Sequence, residues 1–337
     1  MVIETRALEV TGDLYHAWFT GTVLHAVARH GEAVAAELVF RVFRHQQQVA
    51  FLPGLKKLGL DALPPAVAAA RYHYLSNFIG GVSVEYVEES PHKAWIRYPP
   101  PRWVWPGATI CGIPSSVNAA MLRGWHANNG VMLGRLGLGF VCTGQTVDGD
   151  PGLEGYYIEH DRDLAEDERL RFAKQERMPR FDPALAPTLP AASWPPERIA
   201  KAKRGYAMEY CRTVMQAAIG LLGEEQGGAL LGHAGRLVGM QHAHAMMATL
   251  GVTAFCDLVH ALALGEGDGQ ARIATMADGS VTITRASLPL FRGVDASPAM
   301  HAAWEELLRG TLLATDRFAT IEAAGPLAWQ IRCPTTR

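Results

Sequence analysis

Between Glu32 and Gln48 the apolar residues Val34, Leu38, Val39, Val42 and Phe43 recur at three- and four-residue spacing, which predicts a helix with one buried face. A second helix is predicted after Pro64 and Pro65, through Tyr72, His73 and Leu75, ending at Gly80 and Gly81, because proline suits a first helical turn and glycine a cap. The period then shortens to two. Val82, Val84 and Tyr86 alternate with Ser83, Glu85 and Val87, a turn is expected at Glu89–His92, and Ala94 to Tyr98 reads as the returning strand of a hairpin. Beyond a proline-rich stretch, Ser115 or Ser116 can cap a helix running through Trp125 toward Leu133, with strands expected near 139–146 and 153–159.

The same order returns in the second half. Helical spacing runs from Ile199 to Leu222, from Gln226 to Leu250 and from Thr253 to Leu264. Strands are expected at 270–276 and 280–286 around Asp278-Gly279, a dipeptide suited to a tight turn in which both central residues take positive φ. Ser297-Pro298 then opens a helix containing Trp304, and strands near 317–322 and 327–332 close the pattern. The sequence thus predicts an α+β fold of two tandem pseudo-repeats, each a helical layer on a small antiparallel sheet. The first repeat is placed at 1–161 and the second at 198–337. Between them, residues 162–197 form a charged, proline-rich connector, whose Phe172, Phe181 and Trp194 favour docking over free solvation.

Composition narrows the partners. Hydrophobic residues make up 49% of the 337, and the formal net charge is -2, so neither nucleic acid nor an anionic membrane surface has an electrostatic basis; a small organic molecule is expected instead. Five scattered cysteines without a CxxC pair disfavour a disulfide framework and a ribbon-type zinc site, and point to the cytoplasm. The most apolar region, 229–264, is interrupted by His233, Arg236, His242, His244, Asp257 and His260, which argues against a membrane span. His242 and His244 cannot chelate one ion from a regular helix, since residues two apart point about 200° away from each other. No cofactor and no resident metal are expected, although a metal held by His73, Glu85, His126 and His160 keeps a lyase or oxygenase reading open.

The segment Gly81-Val82-Ser83-Val84-Glu85-Tyr86-Val87-Glu88-Glu89, the Arg97 strand, the helix after it and the Gly149-Asp150 turn resemble the L-2-amino-thiazoline-4-carboxylic acid hydrolase-like family. That family is similar to 4-vinyl reductase-type ligand-binding modules. The resemblance covers about residues 31–159. It implies hydrolysis of a cyclic carbon-nitrogen bond or plain binding of a small organic ligand, and it leaves a homodimer open because such modules commonly pair. Leu153 or Glu154 stands where those modules carry a final-hairpin cysteine.

Candidate chemistry is concentrated in the first half, between Arg102 and Tyr157, while the matching part of the second half is mostly apolar. His126 is the candidate general base, with Asn128 or Asn129 to polarise a carbonyl; the alternative is a polar surface turn capped at Asn129-Gly130. Cys111, just before a helix, is either a nucleophile or a small apolar side chain. Glu85 and Glu154 can orient an amine or serve His126, or are ordinary solvated strand positions. Trp103, Trp105, Trp125, Tyr72, His73, Cys142 and Tyr157 are expected to line the substrate pocket, with His73 also readable as structural because His260 matches its place. The expected function is a hydrolase of small-molecule catabolism; the alternatives are a non-catalytic binding or sensor module and the metal-dependent enzyme.

Overall fold

The structure is a computed structural model that describes residues 2–100 and 107–332. The fold is α+β, with helices covering two small sheets. The chain forms two compact units, one spanning Ala26–Pro195 and one joining the residues up to His25 with the chain from Pro196 onward. This division differs from the expected 1–161, 162–197 and 198–337. The first helix, α1 (Val2–His30), places Tyr15, Trp18 and Phe19 in the core of the discontinuous unit, where the Trp18 indole donates to the Leu231 carbonyl at 3.1 Å. Residues 162–195, expected as a connector, belong to the continuous unit.

In the continuous unit, α2 (Glu32–Leu58) outruns its predicted end at Gln48 because Phe51 and Leu55 extend the buried stripe; Gly59, at φ 69°, then caps it. α3 (Pro65–Ile79) follows as expected. Strands β1 (Glu85–Ser90), β2 (Lys93–Tyr98), β3 (Leu138–Gly144), β4 (Leu153–Glu159) and β5 (Leu170–Phe172) form one sheet in the order β1-β2-β4-β3-β5. All neighbours are antiparallel except β5, which runs parallel to β3 and comes from the expected connector. Helices cover one face of this sheet. The other face is covered by 162–195, where Ala173 and Met178 pack against Trp95, Val141 and Tyr156.

One predicted helix is broken. α4 (Ser115–Gly124) stops where Arg44 of α2 donates from Nε to the Gly124 carbonyl (2.9 Å) and from Nη2 to that of Arg123 (3.0 Å), taking up carbonyls that helix continuation would have used. Gly124 also lies so close to α2 that a Cβ would stand 2.9 Å from the Phe40 carbonyl oxygen. Trp125 turns away, residues 126–128 make a single tight turn, and α5 (Asn129–Met132) completes the segment.

The discontinuous unit contains most of α1, then α6 (Pro196–Leu250), α7 (Phe255–Glu266) and α8 (Pro298–Thr315). Gly223 interrupts α6 at φ 79°, dividing it where two helices were expected. The Ser297 hydroxyl accepts from the Met300 amide at the start of α8, as the Ser-Pro pair implied. Strands β6 (Arg272–Thr275), β7 (Val281–Thr284), β8 (Thr320–Gly325) and β9 (Ala328–Arg332) form an antiparallel sheet in the order β6-β7-β9-β8. The β6–β7 turn differs from the expected one: the Gly279 amide donates to the Met276 carbonyl at 3.0 Å, so Ala277 and Asp278 are its central residues, and Gly279 alone takes positive φ, at 79°. Both sheets therefore pair the second strand of one hairpin with the second strand of the next. No single helix among the described residues is long and apolar enough to cross a membrane; α6 and α7 meet the criterion only together, across an 82° bend.

Candidate functional site

Strand alternation sorts the candidate residues before any contact is considered. Successive side chains of a strand face opposite sides of its sheet, so on β4 Tyr157 and Gly155 share one face while Glu154 and Tyr156 share the other. The register carries this across the sheet: Phe140 stands opposite Tyr157 and Cys142 opposite Gly155, whereas Arg97 stands opposite both Glu85 and Glu154. Tyr157, Phe140 and Tyr98 consequently meet the helices. Glu85, Glu154 and Arg97 face the segment 162–195.

On the helical side, α3, the tight turn at 126–128 and α5 deliver His73, His126, Asn128 and Asn129 into one buried hydrogen-bonded network. The Asn128 amide donates to Gln47 Oε1 (2.9 Å), and Gln47 Nε2 donates to Asn129 Oδ1 (3.1 Å). Both hydrogens of Asn129 Nδ2 are then available, one for the Tyr157 hydroxyl oxygen (2.9 Å) and one for His73 Nε2 (3.1 Å). His73 must accept at Nε2, so its proton sits on Nδ1 and is donated to the Tyr98 hydroxyl at 3.3 Å. The Tyr157 hydroxyl, already accepting from Asn129, donates its own hydrogen to His126 Nδ1 at 2.6 Å. His126 is thereby the Nε2–H tautomer, and that N–H has no hydrogen-bond partner among the described residues.

The rings form a compact stack. His73 and His126 lie 4.1 Å apart between centroids at 18°, with Phe140 4.6 Å from His126. Tyr72 packs edge-on to Phe51 and 6.4 Å from Trp125, whose own ring stands 5.9 Å from His73. Burial lowers the pKa of His126 to about 3, and burial together with the neighbouring His126 holds His73 well below its ordinary value. Burial likewise raises Tyr157 well above the usual phenol range. All of these groups are neutral at physiological pH. At the edge of the stack the buried Trp125 Nε1–H has no partner among the described residues, and the buried Ser76 hydroxyl, one turn after His73 on α3, has none either.

The other candidates fall outside this network. Arg97 pairs with Glu85 at 2.7 Å and lies 3.9 Å from Glu154, whose Oε1 accepts from the Thr143 hydroxyl (2.8 Å) and the Met178 amide (3.0 Å). Neither carboxylate joins His126, because strand parity turns them to the opposite face of the sheet. Cys142 does face the helices, but its thiol contacts the Gly144 carbonyl at 3.5 Å and burial pushes its pKa up to about 12. Cys111 lies in the short turn 107–112 and is exposed. Trp103 and Trp105 lie outside the described residues. Gln47, Tyr98, Asn77 and Phe140 are members of the site that the sequence reading left out; the Asn77 amide donates to the His73 carbonyl at 2.8 Å. Among the described residues, no three metal-ligating side chains converge on one point.

The chemistry available is neutral hydrogen bonding between stacked rings, with donors at Trp125 and His126 to spare. No protein-family model, curated protein or solved structure matches the chain.

Proposed function

We propose that the unit spanning Ala26–Pro195 is a small-molecule-binding module whose ligand is neutral, cyclic or aromatic, and presents an oxygen to the Trp125 and His126 N–H groups. The observation that carries this reading is the buried Trp125 indole N–H without an acceptor. An unsatisfied buried donor costs about 1–3 kcal/mol, a deficit that a ligand carbonyl or hydroxyl would remove. The low-dielectric surroundings that keep both histidines neutral also penalise an anion, which favours a neutral ligand. Resemblance to the thiazoline-carboxylate hydrolase-like family, read over residues 31–159, supports a cyclic ligand.

Hydrolysis of a cyclic carbon-nitrogen bond requires a group that exchanges protons near neutral pH. His126, protonating only near 3, is a poor base there, so binding fits the geometry better than turnover. We also read the shared strand order of the two sheets as the trace of a duplicated module; superposition of their backbones tests that history.

A lactam such as caprolactam separates the two functions in one experiment. Saturation-transfer NMR is expected to show binding to the full-length protein, about tenfold weaker binding to Trp125→Phe, and intact lactam after prolonged incubation. Ring-opened amino acid would establish hydrolysis. Equal binding by wild type and Trp125→Phe, or none by lactams and cyclic ketones alike, would overturn the proposal.

A further inference from the structure

The discontinuous unit holds a cleft of its own. The first turns of α1 and α6 and the C-terminal end of α7 enclose a cleft of about 680 Å³. Its floor is apolar and half-buried, built from Leu8, Ala200 and Leu264. Its rim carries Glu197 and Lys201, paired at 2.7 Å, and at its inner end stands Arg204.

Arg204 is unusually placed. Its Nη1 donates to the backbone carbonyls of Gly265 (2.9 Å) and Glu266, closing the end of α7. The carboxylate of Glu266 points elsewhere, to the Tyr15 hydroxyl (2.6 Å) and to Arg285 (2.8 Å), and Asp268 is likewise engaged by Arg285 (3.2 Å). Arg204 therefore forms no ion pair with any carboxylate among the described residues, and its Nε is buried without an acceptor. Burial lowers its pKa, with the field of Glu266 opposing the shift and that of Arg292 adding to it.

We propose that this cleft binds a small monocarboxylate with a short apolar body, its carboxylate held by Arg204 and its body laid on Leu8, Ala200 and Leu264. With Nη1 taken by the α7 carbonyls and Nε buried, Nη2 is the end of the guanidinium left to form a charge-assisted pair with a carboxylate. The class is limited to one negative charge: with Lys201 balanced by Glu197, and Glu4 also on the lining, the remaining field does not accommodate a polyanion such as a phosphoester.

Benzoate and its neutral analogue benzamide test the proposal on the full-length protein by two-dimensional NMR titration. Benzoate is expected to shift the backbone resonances of Leu8, Ala200 and Gly267, and benzamide to leave them in place. Arg204→Gln should weaken benzoate at least about tenfold, the loss associated with a charge-assisted pair. Because Arg204 also closes α7, Ala200→Leu serves as the second variant: it fills the cleft floor, leaves Arg204 and its carbonyl contacts intact, and should abolish the shifts with the thermal midpoint unchanged. Shifts elsewhere or none, equal response to benzamide, or undiminished binding by folded Ala200→Leu would each overturn it.

Discussion

The two units hold contrasting polar side chains in their interiors. Around His126 every group is neutral, whereas Glu266, Asp268 and Arg285, each at most 3% exposed, form a buried charged cluster tied to Tyr15. The neutral set has a definite pH signature. His73 and His126 have folded-state pKa values below the ordinary 6.5. The unfolded chain therefore binds protons that the folded chain refuses, so their stabilising contribution is full above about 6.5 and falls as pH drops toward the folded value of about 3 for His126. His126 contributes a slope of about 1.4 kcal/mol per pH unit inside that window, and His73 acts in the same direction. Urea unfolding between about pH 7 and 5 should show stability falling with acid, and His126→Gln should flatten the dependence; an unchanged slope would mean that His126 is not the neutral buried group described. Gln47 shows what was legible at this scale. It continues the buried spacing of Leu38, Val39, Val42 and Phe43 on α2, and a polar residue on such a stripe signals a network; its partners, Asn128 and Asn129, lie 81 and 82 positions away and leave no local trace.

At the scale of elements, the helices and hairpins follow their sequence periods, and their ends depart from expectation where another element intervenes. α4 ends because Arg44 on α2 claims its last carbonyls, a contact across 80 positions. That break is also what turns His126, Asn128 and Asn129 inward. α6 and α8 depend on close approach in a different way: a Cβ at Gly310 would stand 2.1 Å from the Arg236 carbonyl oxygen, and one at Gly239 would stand 2.3 Å from that of Leu307. In an isolated helix Gly→Ala stabilises by about 1 kcal/mol. Here Gly310→Ala is expected to destabilise by about 1–3 kcal/mol, because backbone against backbone cannot yield as a side-chain tip can. Chemical denaturation checks the sign, and a stabilised variant would show that the helices do not meet so closely.

The whole molecule reverses the order in which its sequence suggests reading it. Tyr15, Trp18, Phe19 and Val23 are nearly fully buried within the discontinuous unit, so the chain's first residues complete a core whose remainder begins at Pro196. Burying a large apolar side chain contributes about 1.5–3 kcal/mol, and four of them rival the total stability of an ordinary domain, about 5–15 kcal/mol. A chain starting at Ala26 should therefore lose hydrogen-exchange protection throughout α6, α7 and α8; retained protection there would show that α1 is dispensable to that unit. The sequence by itself determined the α+β class, the order of helices and hairpins, and the cap at Ser297, because periodicity and turn chemistry act over a few residues. Only the tertiary structure decided which unit owns the first helix, that Glu85 and Glu154 face away from His126, and that His126 is neutral. Each of these depends on which distant surfaces exclude water from which side chains, and that is a property of the packed chain alone.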